Sequence, residues 1–127
     1  MKELHETIKD PENKRLYQLT QSHVTAYEID LLKIAWSTQG KINLKNPIGF
    51  ALNKEHVYLA DQQGIYKINS IDGNIEERES LQGFYAKNGA CMEIMNDRIV
   101  LLGANKAIAT YDLEHLNQID KLSSGRR

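Results

Sequence analysis

The side chains able to do covalent or metal chemistry are few and scattered. Four histidines, His5, His23, His56 and His115, stand singly, and none has a second ligand at the short spacing a metal site needs. Three lie in or next to stretches that read as turns, where a solvated or structural imidazole is the ordinary outcome. Cys91 is the one cysteine, on an alternating run (Cys91-Met92-Glu93-Ile94-Met95) that reads as a strand and predicts a buried, inert thiol. Asp72-Gly73-Asn74 carries oxygen ligands but lacks the further spaced oxygens of a calcium loop, so it reads as a turn. No Gly-x-Ser-x-Gly elbow, phosphate-binding glycine loop or Cys-x-x-Cys pair occurs. The expected catalytic, cofactor and metal residues are therefore none. An enzyme would need a pocket gathering ionisable groups distant in sequence, such as Asp61 and His23.

Side chains suited to binding are easier to find. Ser80 to Gly89 places Phe84 and Tyr85 between two glycines, followed by Lys87 and Asn88. Exposed aromatics are the class that anchors protein interfaces, although Phe84 can instead tuck beneath its own loop. A second polar stretch, Gln39 to Pro47, carries Lys41 and Lys45, and Gln62 sits in a short turn further on. Glu76-Glu77-Arg78-Glu79 reads either as a charged edge that blocks stray strand pairing or as a stripe for a basic partner.

The elements that carry these residues repeat. Asn13-Lys14-Arg15-Leu16-Tyr17-Gln18-Leu19, Asn53 to Leu59 and Asn96 to Leu102 each read as a polar turn opening onto a strand. Some eight residues on come Ala26-Tyr27-Glu28-Ile29-Asp30, Ile65-Tyr66-Lys67-Ile68-Asn69 and Thr110-Tyr111-Asp112-Leu113. A further alternating strand follows at Lys33, Asn74 and Asn117, and a preceding one at His5 to Ile8, Ile48 to Leu52 and Cys91 to Met95. Starts at 13, 53 and 96 give periods of 40 and 43 residues. Val57-Tyr58-Leu59-Ala60 and Ile99-Val100-Leu101-Leu102 are continuously apolar, which predicts sheets covered on both faces by neighbours.

Three units of about 40 residues with four strands each resemble β-propeller blades, most closely the pyrroloquinoline-quinone-type and WD-type repeats. The strand ending in aromatic, x, aliphatic, Asp/Asn is matched by Tyr27 to Asp30, Tyr66 to Asn69 and Tyr111 to Asp112, across residues 4 to 122. No Trp-Asp dipeptide occurs, and Trp36 is the only tryptophan. The expectation is an all-β fold of three four-stranded antiparallel propeller-like blades, about 4–38, 48–79 and 90–122, in one domain over 1–122 with a flexible tail at 123–127. The resemblance implies that the links between blades and the turns between second and third strands share one docking face. That would group Phe84, Tyr85, Lys87, Asn88, Lys41, Lys45 and Gln62.

An open row of three blades leaves two faces bare, and large apolar faces are unstable in water. Two arrays pairing as a homodimer ring, polar capping of the outer sheets, or a partner completing the ring remain open as solutions. At 127 residues, 16 basic and 17 acidic side chains leave a charge of −1, so no global field attracts nucleic acid or an anionic membrane, and neither partner is expected. The first residues lack the apolar core of a signal peptide, and apolar runs of four or five are far short of the roughly 20 needed for a spanning helix, so the expected location is cytoplasmic. These readings predict a non-catalytic protein-binding module without cofactors, of which a cytoplasmic inhibitor or toxin-neutralising immunity protein is one form. A three-blade fragment or subunit of a larger propeller is the alternative, and an enzyme with its site at the blade centre is the third reading.

Overall fold

The computed structural model describes residues 6–81, 90–104 and 106–122. Their apolar–polar alternation and Asn- and Gly-containing turns produce twelve strands and, among the described residues, no helix. In chain order these are β1 (Glu6–Asp10), β2 (Arg15–Leu19), β3 (Val24–Glu28), β4 (Lys33–Ser37), β5 (Gly49–Asn53), β6 (His56–Ala60), β7 (Gly64–Asn69), β8 (Ile75–Ser80), β9 (Cys91–Met95), β10 (Arg98–Leu102), β11 (Ile108–Asp112) and β12 (Gln118–Leu122). They pair antiparallel in three four-stranded sheets, β1-β2-β3-β4, β5-β6-β7-β8 and β9-β10-β11-β12. The expected all-β, three-blade, open arrangement is thus the observed one. The predicted tail lies outside the described residues.

The second sheet sits between the other two, with β5 beside both β1 and β9. Each sheet then has a leading face, towards the sheet before it, and a trailing face, towards the sheet after it. Tyr17, Leu19, Val24, Ala26 and Trp36 on the trailing face of the first sheet pack on Phe50, Val57, Leu59, Tyr66 and Ile68 of the second. Tyr58, Ala60 and Ile65 on the trailing face of the second pack on Met92, Ile99, Leu101, Ala109 and Tyr111 of the third. Two separate cores result, one in each gap between sheets.

Register fixes which residues are equivalent. Leu16 pairs with Tyr27, Val57 with Ile68 and Ile99 with Tyr111. The second strands begin at Arg15, His56 and Arg98, spacings of 41 and 42 rather than 40 and 43. The asparagine markers are not equivalent: Asn53 ends β5, Asn96 stands in the turn after β9, and Asn13 belongs to a longer turn in the first copy. A slip of one residue matters because it exchanges the two faces of a strand. With the register corrected, Tyr17 aligns with Tyr58 and Val100, and Tyr27 with Ile68 and Tyr111. Tyr66 stands two residues earlier than its supposed counterparts, on the same face.

All three sheets carry an irregularity at one place, between Ala26 and Tyr27, Lys67 and Ile68, and Thr110 and Tyr111. The fourth strand there has an extra residue, Ala35, Glu76 or Ile119, unmatched by the third. Ile34, opposite Tyr27, therefore faces forward while Trp36, opposite Ala26, faces back.

The turn into the fourth strand also repeats, with a left-handed residue at Leu32 (φ 51°), Gly73 (φ 78°) and Leu116 (φ 61°). Asp112 caps the third copy: its Oδ1 accepts from the His115 and Leu116 amides at 2.6 and 3.1 Å, and its Oδ2 from the Asn117 amide at 3.1 Å. Desolvation pushes this carboxyl up, but the surrounding backbone N–H donors outweigh it and hold it below the ordinary aspartate value of 3.8. A carboxyl depressed in the folded state contributes stability that is complete above its unfolded value and is lost as pH falls through the folded one. We expect Asp112→Asn to flatten the acid limb of a stability-against-pH profile below 3.8, measured by urea unfolding at stepped pH.

Candidate functional site: a loop face and two free sheet faces

Where a link between sheets meets the turn between second and third strands, a buried aspartate joins them. Asp61, fully buried, accepts at Oδ2 from the Lys45 amide (2.9 Å) and at Oδ1 from the Gln63 and Gly64 amides (2.9 Å each). The Gln62 amide donates back to the Lys45 carbonyl at 2.8 Å, and the Asn46 side-chain amide donates to Gln62 Oε1. Lys45 and Gln62, predicted to share a face, are therefore brought together and both are exposed. Lys41 is exposed in the same link, its amide bonded to the Thr38 carbonyl at 2.8 Å. Phe84, Tyr85, Lys87 and Asn88 lie outside the described residues.

Asp61, offered as half of an ionisable pair with His23, is instead committed to backbone amides, while His23 Nδ1 lies 2.7 Å from Ser22 Oγ. No group of three or more metal-ligating side chains occurs among the described residues. His56 and His115 pair with Glu76 (2.8 Å) and Glu77 (3.1 Å), and Arg78 lies 5.2 Å from the centre of the Tyr66 ring. The charged run on β8 is thus partly engaged within the chain.

The joints between sheets use one design twice. Tyr17 Oη donates to the Ser70 carbonyl at 3.5 Å across the first gap, and its equivalent Tyr58 donates to the Leu113 carbonyl at 3.0 Å across the second. Desolvation, with the Glu76 and Asp112 carboxylates nearby, pushes the Tyr58 phenol up to about 12, so it remains a donor. Trp36 Nε1 also reaches the Ser70 carbonyl at 2.8 Å, and Arg15, its side chain 10% exposed, donates to the Ser70 and Ile71 carbonyls while pairing with Glu28. In the second gap Lys67 Nζ donates to the Glu114 carbonyl at 2.9 Å.

Beyond the two joints, equivalent positions stand bare. β6 is buried on both faces, as its apolar run predicts, but β10 is not: Val100 is half-buried and Leu102 is 37% exposed. The expectation of two-sided cover fails there because, among the described residues, no sheet packs on the far face of the third. On the leading face of the first sheet Leu16, Tyr27, Ile29, Leu32 and Ile34 line an open, mostly apolar hollow of about 690 Å³. Leu32 is 85% exposed and Ile34 59%, whereas Leu116, equivalent to Leu32, is fully buried. The sequence predicts bare end faces but not which residues line them: a leucine in a turn resembles noise until its repeat partner is seen inside a core.

No protein-family model and no curated protein matches the sequence. Solved structures of β-propeller proteins do. The quinohemoprotein alcohol dehydrogenase of Comamonas testosteroni superposes with a TM-score of 0.68 at 16% identity, over 87% of this chain and 19% of that one. The N-terminal domain of Nup159 gives 0.69 at 11%, over 94% and 34%, and BamB of Moraxella catarrhalis 0.68 at 13%, over 92% and 36%. At these identities the likeness is one of fold alone, and the chain spans about a third or less of each of these proteins.

Proposed function

We propose that the chain is a non-catalytic protein-binding unit that supplies three blades to a larger β-propeller, completed through its two free faces. The observation carrying this reading is the contrast between Leu32 and Leu116, one turn geometry with one side chain in solvent and the other in a core. An apolar strip of this kind marks an interaction surface. The partial coverage of every propeller described above supports the same reading, because each of those chains is much longer than the part this chain covers. Cofactors, nucleic acid and membrane play no part in it, and a cytoplasmic inhibitor is a narrower form of the same function.

The loop face around Asp61 is the presenting surface. Lys45 and Gln62 offer a positive charge and an amide on a backbone pinned by a buried carboxylate, and Lys41 adds a second charge on a backbone held by Thr38, so a partner meets a preformed surface and little ordering entropy is lost. Affinity capture from native cells with wild type, Leu32→Asp and Lys41→Glu/Lys45→Glu tests the reading. Both variants are expected to retain the circular dichroism of the wild type and to lose roughly tenfold or more in partner recovery. Recovery unchanged in both would overturn it.

A further inference from the structure

We propose that the sheet completing this chain is supplied by a second copy, two chains joining head to tail into a six-blade ring. The inference rests on the propeller reading above and names the partner. The free trailing face of the third sheet and the free leading face of the first are the two halves of a joint already made twice inside the molecule, so each is of the type the other accepts.

The residues on these faces differ from the internal joints in matched ways. On the inner strands, Ile8 opposes the Phe50 and Leu52 positions in the first gap, and Ala51 opposes Met92 and Ile94 in the second, apolar against apolar. At the free faces the register places Glu93 in the position of Ile8 and Ala51, and Lys9 in the position of Leu52 and Ile94. Both are exposed, and one is acidic where the other is basic. The tyrosine joint is not repeated at the free faces: the position of Tyr17 and Tyr58 is taken by Val100, while the carbonyl position of Ser70 and Leu113 falls at Ile29. Thr110, in the position of Lys67, has a buried Oγ1 without a hydrogen-bond partner among the described residues, and Lys67 reaches the next sheet's turn. Leu32 already holds the conformation with which Leu116 enters the neighbouring core.

Glu93 and Lys9, on opposite ends of the chain, attract one another only where those ends meet. Three blades alone do not bring them together, since they fall short of the roughly four to eight that close a propeller. Two copies give six, and three copies overshoot. Closure by a two-fold axis uses both free faces of both chains and leaves none exposed.

Sedimentation equilibrium of the intact chain, with charge exchange at the joint, tests this. Wild type is expected at twice the chain mass. Lys9→Glu and Glu93→Lys should each dissociate at roughly tenfold higher concentration, because each sets like charges against one another twice per ring. An equimolar mixture of the two variants, or the double variant, should return to the wild-type mass, since every joint then again unites opposite charges. A wild-type monomer, a ladder of growing oligomers, or failure of the exchange to restore association would overturn the two-copy ring. The broader propeller reading survives that result if Leu32→Asp still abolishes partner capture, and falls with it if Leu32→Asp has no effect in either measurement.

Discussion

Gly73→Val is expected to lower stability by on the order of 4 kcal/mol, enough to unfold much of the population at 37 °C. Two causes combine. The backbone at Gly73 is left-handed, φ 78°, a region a β-branched residue enters only with strain. A Cβ there would also lie 2.6 to 2.9 Å from Cγ, Cδ2 and Cβ of Trp36, which is 6% exposed and tied through its indole N–H to Ser70. Gly40 separates the causes, since it has a similar φ of 85° with nothing within 4 Å of where a Cβ would stand. Gly40→Val should therefore cost only about 1–2 kcal/mol, the backbone part alone. Urea unfolding of both variants makes the comparison, and equal losses would show that the indole contact is readily relaxed.

Leu116→Ala is expected to cost about 3 kcal/mol, against almost nothing for Leu32→Ala in the isolated chain. The residues are the same, the turn is the same and φ differs by 10°, but Leu116 is fully buried in the core between second and third sheets and Leu32 is 85% exposed. The difference between the two variants thus measures what a neighbouring sheet contributes at this position. If Leu32→Ala proves as costly as Leu116→Ala at concentrations where the chain associates, the surface around Leu32 is covered there.

The strands are legible in the sequence because their signals are local. Alternation in β4 and β9, the apolar run of β6 and the Asp72-Gly73-Asn74 turn each need only neighbouring residues to be read. Register is not legible in the same way. Asn13, Asn53 and Asn96 look alike as turn markers, yet a four-residue connection between β1 and β2 and two-residue ones at β5–β6 and β9–β10 set them out of phase. Cover is the least legible. β6 and β10 have similar runs, and nothing in either states which sheet stands in the middle of the row. At the loop face, the spacing of the repeat brings Lys45 and Gln62 together, but nothing local marks the Asp61 carboxylate as the group that fastens them. An aspartate that caps amides and one that moves protons are spelled alike.

The extra residue in the outermost strand of each sheet has its own effect on architecture. Without it, Ile34 and Trp36, two apart, would point the same way; with it, one strand sends an aliphatic forward and an indole back. The rim strand thereby carries two bearing surfaces, like a keystone, of which the Trp36 side is engaged and the Ile34 side stands open. Removing that single residue would silence one of them and leave the adjoining layer without its wedge.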